Sequence, residues 1–140
     1  MFKISDAASL AFHAMAVLAA QAGQGGLTVT HIAERLGVSG HHLAKVMQRL
    51  VRARLVRSRR GPQGGFQLAR PAAEISLLAV LEAIEGAWRP QGCLLPRPVC
   101  SEGCCLLGAR MQELDGQVYA HLKGTDLASM CSAFTDEEPA

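Results

Sequence analysis

Residues 28–68 read TVTHIAERLGVSGHHLAKVMQRLVRARLVRSRRGPQGGFQL, and the order of caps, glycines and apolar steps in this stretch decides the fold. Thr28 stands where a side-chain oxygen can cap a short helix that turns Ile32, Ala33 and Leu36 inward. Gly37 supplies the turn, because glycine takes a positive φ without steric cost. Ser39 caps a second helix with Leu43, Val46, Met47 and Leu50 on its inner face, leaving His41, His42, Lys45, Gln48 and Arg49 outward or sideways. Helix, glycine turn and capped second helix make a helix-turn-helix, with 39–51 as the element suited to a duplex groove. Residues 55–59 then read as a strand, 60–65 as a tight Gly/Pro loop and 66–68 as a returning strand. A hairpin directly behind such a helix is a wing. Its glycines allow close backbone approach to a phosphate, and Arg59, Arg60 and Gln63 lie at its tip.

Charge supports the same reading. The net charge of the 140 residues is only +2, but no acidic residue falls between Glu34 and Glu74. Nine of the fourteen cations (Arg35, Lys45, Arg49, Arg52, Arg54, Arg57, Arg59, Arg60 and Arg70) lie in that interval. Solvated faces usually mix both signs, so an uninterrupted basic segment is the footprint of a polyanion. Thr28, Ser39, His41, His42, Lys45, Arg49, Arg59, Arg60 and Gln63 are therefore the candidate DNA-binding residues. No Asp or Glu is placed to form a catalytic pair with His31, His41 or His42, so no enzyme is expected.

Upstream, a helix is expected from about 5 to 21, with Leu10, Ala14, Val17 and Leu18 on one face. Its Asp6 and His13 argue against an export signal, and no run is long enough to span a membrane, so a cytoplasmic protein is expected. Downstream, Pro71 closes the wing unit. Ser76 caps a helix to Glu85 that should bury Leu77, Val80, Leu81 and Ile84, with Gly86 as its stop. A further helix is expected over about 106–123. Its Leu107, Met111, Leu114, Val118 and Leu122 form a stripe suited to pairing with another helix, most simply in a homodimer. Leu127 and Met130 should dock a last short turn, and the acidic tail 135–140 should be disordered. The expected organisation is 1–75 winged helix-turn-helix, 76–134 cysteine loop and dimerisation helix, and 135–140 tail.

Between those helices, residues 93–105 read CLLPRPVCSEGCC and hold four of the five cysteines. In a reducing compartment, thiols crowded this closely bind a soft metal or an iron–sulfur cluster, or act as redox thiols, more often than they form structural disulfides. Zinc would give a redox-silent site held by Cys93, Cys100 and Cys105. Cys131, apart from the loop, reads as a small apolar residue, and Trp88 as core packing beside the loop.

These features together resemble the Rrf family of bacterial winged helix-turn-helix transcription regulators, of the IscR/NsrR kind. The likeness is carried by the amphipathic start through Met15, by residues 43–50 and 55–58, by the wing 60–66 and by the cysteine loop ahead of a long helix. It implies a mainly α fold with a small β-hairpin wing, and a homodimer joined through long helices that reads roughly palindromic promoter DNA. It further implies control by an iron–sulfur cluster, 2Fe–2S or 4Fe–4S, on three loop cysteines plus one variable ligand. Cys93 and Cys100 match the first two positions. Cys104 and Cys105 both lie near the third, and Cys105 fits the usual spacing better. At the fourth, a histidine used by some members is replaced by Gly108. An aspartate used by others falls at Ser9, near Asp6 and His13, and Cys104 is a further candidate. A cofactor-free regulator controlled by docking on a metabolic enzyme is the alternative from another class.

Overall fold

Ser5 begins the first helix. Its side chain accepts the amide of Ala8 and starts α1 (Asp6–Ala20). Ala8, Leu10, Ala11, Phe12, Ala14, Met15, Ala16, Val17 and Leu18 of α1 are all buried, so the helix is enclosed around most of its circumference and not on one face as expected. The computed structural model, which describes residues 3–90, 92–101, 105 and 107–131, shows why. α2 (Val29–Leu36), α3 (Gly40–Arg52), α4 (Leu77–Glu85), α6 (Leu127–Cys131) and β2 (Gly65–Leu68) all pack against α1.

The helix-turn-helix forms as its caps dictate. Thr28 Oγ1 accepts the His31 amide at 3.2 Å and Ser39 Oγ accepts the His42 amide at 3.4 Å. Between the two helices Gly37 sits at φ 64°, and Val38 N–H returns to the Ala33 carbonyl at 3.0 Å. This left-handed closure satisfies the last carbonyls of α2 and aims α3 across α2. Leu43, Val46, Met47 and Leu50 are the buried residues of α3.

β1 (Val56–Arg59) and β2 pair antiparallel in the register Val56 with Leu68, Arg57 with Gln67, Ser58 with Phe66 and Arg59 with Gly65. A contact absent from the sequence reading adds to this wing. Leu27 bridges to Phe66 through hydrogen bonds of 3.0 and 2.7 Å, pinning the α1–α2 connection to β2. Gly65, at φ +116°, makes that approach possible, since a Cβ there would lie 2.6 Å from the Leu27 carbonyl oxygen.

The core continues past residue 75. Ile75, Leu78, Val80, Leu81, Ile84, Leu122 and Leu127 join the residues of α1 and α3 in one apolar cluster. In α4 it is Leu78 that is buried beside Val80, Leu81 and Ile84, whereas Leu77 is only half-buried. The expected stripe was too narrow because α4 is contacted by α1, α3 and α5 (Gly108–Gly124) together. The stripe on α5 divides: Leu122 is buried, while Leu107 and Leu114 are 57% and 41% exposed. Leu127 is fully buried, so the short last helix docks as expected. Leu106, the expected start of α5, and the tail lie outside the described residues. Among the described residues no helix is long and apolar enough to cross a membrane.

Ser76 Oγ holds the Ala79 amide at 3.1 Å at the start of α4. Ser76→Ala should lower stability by about 1 kcal/mol, measured as a shift in the urea midpoint with unchanged slope. A loss indistinguishable from zero would show that the cap is solvated in the native state.

Candidate nucleic-acid interface and cysteine loop

The exposed side of α3 carries His41, His42, Lys45, Gln48 and Arg49. The histidines stand in its first turn, where amide dipoles favour an anion, and Lys45 follows one turn later. Arg59, Arg60 and Gln63 are exposed at the wing tip. Thr28 and Ser39 are engaged as helix caps, but capping uses only an acceptor lone pair of each hydroxyl, and the O–H can still donate to phosphate.

Arg49 departs from expectation. Its Nη1 donates to the Ile84 carbonyl at 3.3 Å. The guanidinium therefore bridges the last turn of α3 to the end of α4, a structural task beside the phosphate contact expected of it. The sequence offered a signal in the basic residue near a helix C-terminus, but not that the carbonyl would belong to a helix 35 residues away. Arg54, at φ 60°, makes the corner between α3 and β1 without a glycine to mark it.

From the end of α4 the chain runs into the cysteine segment. Trp88 N–H donates to Glu82 Oε1 at 2.9 Å, and the indole packs tilted on Tyr119 of α5 with ring centroids 5.6 Å apart. Trp88 is half-buried beside the loop, as expected. Asp115, which the sequence reading passed over, is buried to 9% exposure and lines a cavity of about 490 Å³ with Trp88, Pro90, Gln112, Gly116 and Tyr119.

Cys93, Cys100 and Cys105 are free and exposed, and Cys104 lies outside the described residues. The structure brings Cys100 and Cys105 into side-chain contact, but among the described residues no three His, Cys, Asp or Glu side chains are gathered as a metal-ligand set. The expected trio of Cys93, Cys100 and Cys105 is thus only partly assembled. Cys93 lies on the far side of a segment punctuated by Pro96 and Pro98, with no regular structure to carry it across. Cys105 Sγ accepts the Gly108 amide at 3.0 Å, at the start of α5. That bond first, and the Leu107 amide second, hold the Cys105 thiol below the ordinary cysteine range. A Cβ on Gly108 would lie 2.9 Å from the sulfur, so glycine keeps the amide within reach. Cys131 contrasts with it: burial pushes this thiol up, and its Sγ lies 3.8 Å from the Ala16 carbonyl. Asp6, Ser9 and His13 line a separate cleft of about 360 Å³ with Leu36, Val38 and His42, and among the described residues no cysteine shares it.

The sequence profile of the Rrf2 family, described as iron-dependent transcriptional regulators, matches residues 4–133. The chain belongs to the Rrf2 family. It is a DNA-binding transcription regulator with the winged-helix fold. A regulator from Azotobacter vinelandii is 34% identical over 117 residues, which are 84% of this chain and 71% of that protein. The regulator IscR of Sodalis glossinidius is 30% identical over 138 residues, 93% of this chain and 79% of the other. The shared stretch covers 63% and 60% of two further regulators, so those proteins extend beyond it. Among solved structures, CymR, described as the global cysteine regulator of Bacillus subtilis, superposes with a TM-score of 0.78 at 26% identity, covering 96% of this chain and 100% of that one.

Alkylation of the reduced protein should modify Cys105 at lower pH than Cys131. A thiol with a depressed pKa is already thiolate below the ordinary cysteine range, and one raised by burial is not. Peptide mapping after iodoacetamide pulses across pH checks this, and equal pH profiles for the two sites would remove the helix-start effect.

Proposed function

We propose that the chain is a non-catalytic, homodimeric regulator whose promoter affinity is set by an iron–sulfur cluster on the 93–105 loop. The observation that carries this reading is the loop itself. It presents free, exposed thiols at Cys93, Cys100 and Cys105, and is anchored at one end to α4, which packs on α3, and at the other to α5, which packs on α4. The donor set fits: thiolates are the usual cluster ligands, and Cys100 and Cys105 already meet. Cys93, Cys100 and Cys105 would hold the group, with Cys104 as a further donor. When bound, such a group supplies a redox- and iron-responsive crosslink of the loop.

The protein's own residues transmit the state of that loop. Ordering it loads Trp88, which is fixed to Glu82 on α4 and to Tyr119 on α5. Ile84 lies in the last turn of α4, and its carbonyl holds Arg49 of the recognition helix. A small rotation of α4 therefore reaches α3 through a directional bond as well as through packing. Loops that change state act only through such differential contacts. The exposed part of the α5 stripe, Leu107 and Leu114 with Met111 and Val118 beside them, would pair with a second copy and set the spacing of two reading units.

A second reading keeps the fold and uses the thiols directly. The contact of Cys100 with the activated Cys105 favours it, because a low-pKa thiol beside a resolving cysteine is the arrangement for reversible disulfide formation.

Protein purified without oxygen should contain iron with about equal sulfide and absorb in the visible range, and Cys93→Ala or Cys100→Ala should lose both. Colourless protein with stoichiometric zinc would promote a zinc site. Metal-free protein that forms a Cys100–Cys105 disulfide on oxidation would promote the thiol reading.

Arg49→Gln should compress the difference in DNA affinity between the two loop states about fivefold, the scale of a small allosteric coupling. A variant that binds more weakly but keeps the full ratio would make Arg49 a phosphate contact only.

DNA affinity should fall steeply with salt, and Lys45→Ala should lower the log–log slope by about one unit for a single lost phosphate contact. Arg60→Ala should in addition narrow the gap between cognate and scrambled duplexes, as for a guanidinium in a narrow minor groove. Unchanged titrations for both variants would place the DNA elsewhere.

A further inference from the structure

A groove of about 880 Å³ runs between the C-terminal end of α1 and the wing, and its walls include Gln21, Arg57, Arg59, Arg60, Arg70 and Pro71. Among the described residues no carboxylate lines it. Arg57 spends one donor on Gln67 Oε1 at 3.2 Å. All the arginines of the groove are exposed. Four guanidiniums on one concave surface repel one another and concentrate positive potential.

The described chain ends beside this groove. The Cys131 sulfur lies 3.8 Å from the Ala16 carbonyl on α1. α6 also packs on the short turn Ala72–Glu74, and Ala72 is itself part of the groove wall together with Leu18 of α1. From Ala16 to Gln21 is about 7.5 Å along the helix. Residues 132–135 follow Cys131 and can span up to about 14 Å when extended. Next in sequence come Asp136, Glu137 and Glu138, consecutive acids without an intervening cation.

We propose that the acidic stretch Asp136-Glu137-Glu138 docks in this arginine groove when DNA is absent, and competes with DNA for the wing. The inference rests on the DNA-binding reading only for its second half. The groove's arginines need a polyanion, the chain carries one within reach, and Arg59 and Arg60 belong both to the groove and to the candidate DNA surface. Each exposed ion pair is weak, so the docked tail yields readily to a duplex. The tail acts as a filter against weak, non-cognate sites and does not block the cognate one.

The test uses the full chain with Asp136→Asn, Glu137→Gln and Glu138→Gln combined, alone and together with Arg57→Gln and Arg70→Gln. Without DNA, the side-chain Nε–H resonances of Arg57, Arg59, Arg60 and Arg70 should move on neutralising the tail. That of Arg110, paired with Glu113 at 2.8 Å, should not. With DNA at low salt, tail neutralisation should raise affinity about three- to tenfold, the scale of a few exposed ion pairs. That gain should shrink in the Arg57→Gln/Arg70→Gln background, since coupled sites are not additive. Unmoved arginine resonances, or an equal gain in both backgrounds, would overturn the docking and leave diffuse repulsion. Resonances that move in a protein that binds no duplex would keep the docking and sink the regulator reading.

Discussion

Burial of α1 organises the molecule. Nine of its residues are withdrawn from water, and Ala8, Ala11, Ala14 and Ala16 among them are small enough for neighbouring helices to approach closely. Every element that carries function leans on this helix, directly or through α4. α2 and α3 pack on it to present the reading surface, β2 sets the wing against its end, and α4 and α6 bring the C-terminal half back to it. Non-directional apolar burial thereby decides where the directional groups point. The histidines, lysine and arginines of α3 face solvent because Leu43, Val46, Met47 and Leu50 are buried on the side where α3 packs against α1, α2 and α4.

Elements whose signals are local were legible in the chain. Thr28, Ser39 and Ser76 each cap the helix that follows them, because the hydrogen bond spans only three residues. Gly37 turns the chain for the same reason. Features that depend on residues distant in sequence were not legible. The bridge from Leu27 to Phe66, the bond from Arg49 to Ile84 and the burial of Leu78 in preference to Leu77 all come from how the helices stack. Asp115 looked like one more polar position on α5, yet it is buried, in the wall of the cavity it shares with Trp88 and Pro90.

The candidate site divides along the same line. The basic surface was readable because charge accumulates additively along a segment. The cysteine loop was readable as chemistry but not as geometry: the family resemblance named Cys93, Cys100 and Cys105, whereas the structure brings Cys100 and Cys105 together. The capture of Cys105 by the Gly108 amide follows from where α5 begins, and the stripe pattern did not locate that start to the residue.

The hydrogen bonds between Leu27 and Phe66 bear on how the protein meets a duplex. A hairpin attached only at its base would sample many tilts, and binding would have to select one of them. Here the wing is stitched to the α1–α2 connection, one residue before the cap of α2, so Arg59 and Arg60 are offered at a nearly constant bearing relative to α3. Most of the orientational entropy is given up during folding, not at the moment of contact. On the reading proposed above, the protein meets a duplex as a pre-shaped template, and groove width in the DNA, more than adjustment by the wing, decides which sequences fit.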